Sequence, residues 1–303
     1  PAAAANKNEI NLVQITPVVK NENTGAVYGS LMEALGATEA DADGSPVVLS
    51  VLESTDVTDR IGAQTFPIAI KGAGSDIVLK KTFNNKMFTS NNANLSFENL
   101  TLDCNNQSGP SANSIQFEAN KNRIEFKDIK ITNIPAGATL FSVKEGNRTL
   151  RLENVQASSD TEYNGINLNG KLELAGDNNI SINVANASAS ITATGELTNV
   201  EPIKLTLLNP AKDMVAVKGC KDRSKFELTN AGFFLVNNGE NLVVTDTDPT
   251  TGIEDIFAGE ENGPVDVYNL QGVLIKSNED PANATEGLAK GVYIIGGKKV
   301  AVY

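Results

Sequence analysis

One short phrase is written three times between Asn94 and Ser158. It reads Leu95-x-Phe97-x-Asn99-Leu100, then Ile124-x-Phe126-x-Asp128-Ile129, then Leu150-x-Leu152-x-Asn154-Val155. Each copy is apolar at alternate positions, the period of a strand with one buried face. An Asn or Asp interrupts each copy at the same place, and a branched apolar residue follows at once. The offsets between copies are 29 and 26 residues, too short for a domain and suited to one turn of a solenoid. Phe88, Phe117 and Val143 mark a further strand seven residues before Leu95, Ile124 and Leu150. One coil therefore reads strand, polar turn, strand, Asn or Asp bend, strand and variable loop. That plan predicts three parallel sheets.

Strand-like runs extend the pattern both ways. Val47–Leu52, Ile68–Gly72 and Ile77–Leu79 precede the phrase. Ile166–Leu168 with Leu172–Leu174, Ile180–Val184, Ile191, Ile203–Leu207, Val215–Val217, Phe226–Leu228, Phe233–Val236 and Leu242–Val244 follow it. About eight coils at ~4.8 Å each make a rod of roughly 40 Å. Near the start, Ser30 followed by Glu33 is a capping-box pattern, and Leu31, Ala34 and Leu35 share a helical face. A short helix there would cover the open end of the first coil, whose strand edges are otherwise exposed. Ile10–Ile15 reads as one more strand, and Pro1–Asn6 reads as a processed terminus.

The period changes after Thr247-Asp-Pro-Thr-Thr-Gly252, a run of turn formers. Val265–Ile275 and Leu288–Tyr303 read as a small antiparallel module with turns at Asn269–Gly272 and Gly296–Lys298. The expected division is 1–25 as an N-terminal strand or leader and 26–247 as the β-helix with its capping helix. A linker over 248–263 and the C-terminal module over 264–303 complete it.

Composition removes several classes of function. The net charge of −12 argues against nucleic acid, whose binding rests on clustered Lys and Arg. Histidine is absent, and with it the commonest general base, Ser-His and Cys-His nucleophile pairs and most zinc sites. Tryptophan is absent and tyrosines number five, which disfavours an aromatic-platform lectin. No run approaches the ~18 apolar residues of a membrane span. Cys104 and Cys220 stand 116 residues apart, about four coils or ~20 Å, whereas a disulfide needs Cα atoms within ~7 Å. They are expected to be unpaired core residues.

The repeated phrase over 45–247 resembles the right-handed parallel β-helix of the pectin-lyase-like superfamily. The resemblance implies that Asn99, Asp128 and Asn154 form a ladder at the bend, each side-chain amide bonding the next coil. Asp128 departs from it, since a carboxylate only accepts. The C-terminal run Val267-Tyr268-Asn-Leu270-Gln-Gly272-Val-Leu-Ile275, with Gly291-x-Tyr293, resembles the sorting domains of Bacteroidetes secreted proteins. It implies a secretion or attachment machinery as partner and a secreted or outer-surface location, with the periplasm as alternative.

Enzymes of that superfamily use paired Asp carboxylates, or Ca²⁺ on clustered acids with an Arg or Lys base. This chain has no adjacent Asp pair. Asp103, Glu118, Asp128 and Asp160 are the candidate acids, and Lys130, Arg148 and Arg151 the candidate bases, but no spacing gathers them. The sequence therefore names no catalytic or metal residue and points away from an enzyme. By alternation, Gln116, Glu118, Ser142, Lys144 and Asn167 face outward from the first sheet and suit a polysaccharide laid along the coils. The expected function is a non-catalytic, adhesive or structural surface protein that binds a glycan and needs no cofactor. The alternative is a calcium-dependent polysaccharide lyase acting on uronic-acid polymers.

Overall fold

The computed structural model describes residues 16–62, 64–90, 93–107, 115–249, 264–296 and 298–302. The three phrases lie side by side on parallel strands. Leu95, Ile124 and Leu150 are in register, and their row runs back through Ile68 to Val47 and on through Leu172 to Ile191. A second inward row joins Ile70, Phe97, Phe126, Leu152 and Leu174. Opposite them, Phe88, Phe117, Phe141 and Ile166 align on a seven-stranded parallel sheet. The described residues thus build an all-β parallel β-helix, one strand of the short sheet to each of seven turns.

The core is built by stacking like on like. Phe126 lies 5.2 Å from Phe97, 5.3 Å from Phe117 and 5.1 Å from Phe141, measured between ring centroids. All four rings are buried. Coil length varies in the loops while the pairing keeps its register as far as Leu174, beyond which Gly176 lines up with Leu197 and the register shifts.

The bend explains a difference from the three expected sheets. Asn99, Asp128 and Asn154 adopt left-handed φ of 55°, 53° and 54°, a conformation that Asn and Asp tolerate better than other side chains. One such residue turns the strand without ending it. Leu95–Asp103, Arg123–Thr132 and Thr149–Ala157 therefore run through the bend unbroken. Two of the three faces merge into one long sheet. In earlier turns they are still separate strands, Val47–Val51 with Thr55–Val57 and Ile68–Gly72 with Val78–Lys81.

Both ends of the long sheet close with antiparallel strands, which hides the parallel edge. Val19–Asn21 pairs with Val47–Val51 at one end, and Asn241–Thr245 with Val215–Lys218 at the other. The helix is Leu31–Ala37, with Ser30 Oγ accepting from Glu33 N and Leu31, Ala34 and Leu35 buried. It packs against the first strands.

Val265–Asn269, Leu274–Glu279, Gly291–Ile295 and Lys298–Val302 form a separate antiparallel sheet with Val267, Ala284 and Ile295 as its core. The turn after Asn269 is closed by Gly272 N donating to Asn269 O. This sheet falls in a second compact unit, which comprises Gly232–Phe234 and Thr245 onward. The expected strand Ile10–Ile15, most of the linker and Gly297 in the last turn lie outside the described residues.

Candidate functional site

At the bend, polar side chains tie one coil to the next. Asn99 Nδ2 donates to Gly72 O at 3.2 Å, Asn154 Nδ2 to Asp128 Oδ1 at 2.8 Å, and Asp177 N to Asn154 Oδ1 at 3.0 Å. The column then reaches Gly176, at φ 66°, where a Cβ would lie 1.9 Å from Asn154 Oδ1. Beyond it, Asn178 and Asn179 use their side chains where a strand would use its backbone. Asn179 accepts from Ala157 N and donates to Ala157 O, at 2.8 and 2.9 Å. These asparagines serve the frame.

The outer face of the long sheet is a lattice of opposite charges. Lys71 pairs with Glu98, and Lys127 with Glu153. Arg151 bridges Glu125 and Glu153 at 2.8 and 2.7 Å, and Arg123 reaches Glu173 at 2.7 Å. Parallel register sets Lys71 beside Glu98, Lys127 beside Glu153 and Glu125 beside Arg151, and the long Arg123 side chain adds a diagonal contact two coils away. Arg151, a candidate base, is thereby occupied.

The outer face of the short sheet is different. Thr89, Glu118, Ser142, Asn167, Asn183 and Thr206 form one row, each in register with the next. Glu118 sits between two lysines, with Lys86 Nζ 2.8 Å from Oε1 and Lys144 Nζ 3.5 Å from Oε2. Beside the row, Gln116 Oε1 accepts from Lys81 Nζ at 2.8 Å. The same amine donates to Gln107 O at 2.8 Å, and burial lowers its pKa to about 8.

Exposure corrects the sequence reading of this face. Gln116, Glu118 and Ser142 point off the core by alternation, yet they are 0%, 3% and 2% exposed. Asn167 is half-buried, while Lys144, Asn183 and Thr206 are exposed. A carboxylate or amide withdrawn from water needs partners, and the lysines supply them here. Two atoms of the row still have none: Thr89 Oγ1 and Asn167 Oδ1 are buried without a hydrogen bond, whereas Glu118 Oε2, also without a hydrogen bond, faces the Lys144 ammonium.

The chain matches no family model, no curated protein and no solved structure. The remaining candidates for chemistry are dispersed. Asp103 Oδ1 accepts from Asn105 N and Asn133 Nδ2 at 2.7 and 2.8 Å, and Asp128 is held by Asn154. Arg148 Nε donates to Asn120 O at 2.9 Å, while Lys130 and Asp160 are exposed. Among the described residues, no three His, Cys, Asp or Glu side chains converge as a cation site, and no helix is long and apolar enough to cross a membrane. Cys104 and Cys220 are both buried and unpaired, and burial pushes the Cys104 thiol up to about 12.

Sequence reasoning missed Thr89, Lys81 and Lys86. Thr89 could have been found by counting back one coil from Glu118, since Phe88 and Phe117 were already aligned. Lys81 carries no signal, because its place in the strand reads as an ordinary end position.

Proposed function

We propose that this is a non-catalytic β-helix protein, secreted or attached to the outer cell surface, with an adhesive or structural role. It lays a glycan along the outer face of its short sheet. The observation that carries this reading is the accessible part of the polar row, Asn167, Asn183 and Thr206, which stand in register on successive turns at the strand spacing of ~4.8 Å. The row is open to solvent at Asn183 and Thr206 and half-open at Asn167, with the exposed Lys144 just past the strand that carries Ser142. Hydroxyl groups along an extended chain are suitable donors. A calcium-dependent lyase is supported less well, because Asp103, Glu118, Asp128 and Arg151 are each held by neighbouring side or main chain.

Residues 264–303 serve in this reading as the sorting-type module that engages a secretion or attachment machinery, joined through the linker at 248–263. The support is their resemblance to such modules together with their separate small core. The test has two parts. The whole chain is applied to a glycan array, and the double variant Lys144→Ala/Asn167→Ala is expected to lose the wild-type pattern. Deletion of 253–303 is expected to leave a folded β-helix while abolishing surface attachment. An array silent for wild-type, or unchanged by the double variant, defeats the glycan reading.

A further inference from the structure

A cavity of about 300 Å³ opens at the N-terminal end of the β-helix, between the hairpin Val19–Tyr28 and the segment that leaves the capping helix. Tyr28, Asn21, Thr24, Glu39 and Asp41 are among the residues that line it. Its two walls are pinned to each other through Asn23. Asn23 Oδ1 accepts from Val48 N at 2.9 Å, and Asn23 Nδ2 donates to the Asp41 carboxylate. The wall strand is fixed in turn, since Asn21 pairs in register with Leu49.

Each wall offers a different kind of contact. Tyr28 is half-buried and lines the cavity with an aromatic side chain, a surface type on which apolar C–H groups pack. Asn21 is 3% exposed, and its Oδ1 is already taken by Asn23 N and Thr24 N at 3.0 and 3.2 Å. Its Nδ2 is a donor group at the cavity wall and can donate to a ligand oxygen. Glu39 and Asp41 bring carboxylate acceptors suited to hydroxyl donors, and Thr24 adds a hydroxyl.

We propose that this cavity binds a single polyhydroxylated ring, a neutral or amino monosaccharide at the end of a glycan. Such a ring carries an apolar face for Tyr28, hydroxyl donors for Glu39 and Asp41, and an acceptor for Asn21. The volume lies at the small end of ligand cavities, which fits one ring and not a chain. Two carboxylates in the lining repel a uronate or a phosphate. Because Asn23 already holds the walls together, little ordering is lost on binding. The site is separate from the polar row of the short sheet and does not depend on it.

The test uses the full chain and saturation-transfer NMR with glucose, galactose, glucosamine and glucuronate at millimolar concentration. A neutral or amino sugar is expected to receive saturation and glucuronate is not. Tyr28→Ala is expected to weaken binding about tenfold, while Tyr28→Phe retains it. Asp41→Asn is expected to narrow the discrimination against glucuronate. Lys144→Ala/Asn167→Ala should leave these signals unchanged, so the outcome is independent of the short-sheet reading. The proposal is overturned if none of the neutral or amino sugars receives saturation. It is equally overturned if a folded Tyr28→Ala variant, checked by circular dichroism, binds as wild-type does.

Discussion

Truncating Phe126 to Ala removes the ring that touches the most other rings of the described core. The residue is fully buried, and its ring lies within 6.4 Å of Phe88 and closer to Phe97, Phe117 and Phe141. Loss of a buried Phe costs about 3–5 kcal/mol, and aromatic pairs add ~0.5–1.5 kcal/mol each beyond area. These contributions overlap, so the expected loss is about 5 kcal/mol and not their sum. Phe126→Leu keeps most of the apolar volume and is expected to lose only ~1.5 kcal/mol. In a solenoid each turn touches mainly its neighbours, so the damage should be local. Hydrogen exchange should speed up in Leu95–Asp103, Arg123–Thr132 and Thr149–Ala157, and much less in the C-terminal sheet. Urea unfolding followed by circular dichroism supplies the total. A loss below ~1 kcal/mol, or faster exchange spread evenly over both units, would refute the stacked-coil core.

Asp128→Asn should stabilise the fold by ~0.5–1.5 kcal/mol, because Asn keeps the acceptor for Asn154 and adds a donor toward Asn99. A fall in melting temperature would show that the carboxylate is needed there. The Lys81 amine is depressed to about 8 from an unfolded value of ~10.4, so the folded state sheds its proton first. Its penalty is fully present below pH 8 and is relieved as pH rises from about 8 to ~10.4. Wild-type should therefore gain stability over that window relative to Lys81→Met; parallel pH profiles would count against a buried ammonium. Both cysteines should react with a thiol reagent only after denaturation, without reductant, and a count of zero would mean a disulfide and a wrong coil order.

Architecture was legible because the repeat writes the same residue type at the same height of every coil. Phe97 and Phe126 declare their stacking in the spacing alone, and Asn99, Asp128 and Asn154 mark the bend because few other side chains accept a positive φ. Merging of two faces into one sheet was not legible. It depends on whether hydrogen bonding survives the bend, and residue types do not report that. Burial on the short sheet was hidden for a related reason. Alternation tells which side of the strand Glu118 and Gln116 take, but their shielding depends on Lys81, Lys86 and Lys144. Those lysines lie up to 35 residues away along the chain, as Lys81 does from Gln116. The cavity beside Tyr28 was equally silent, since Asn23 and Asp41 meet only when the hairpin and the helix exit are folded together.

The central claim, a polar face that holds a glycan without cleaving it, is tested most directly by turnover. The full chain is incubated with a panel of uronic-acid and neutral polysaccharides, with and without Ca²⁺, while the absorbance of unsaturated sugar ends is followed. The account predicts no rise on any polymer under either condition, together with retention of at least one polymer in a pull-down. A calcium-dependent rise in absorbance that disappears in Arg148→Ala or Arg151→Ala would contradict it.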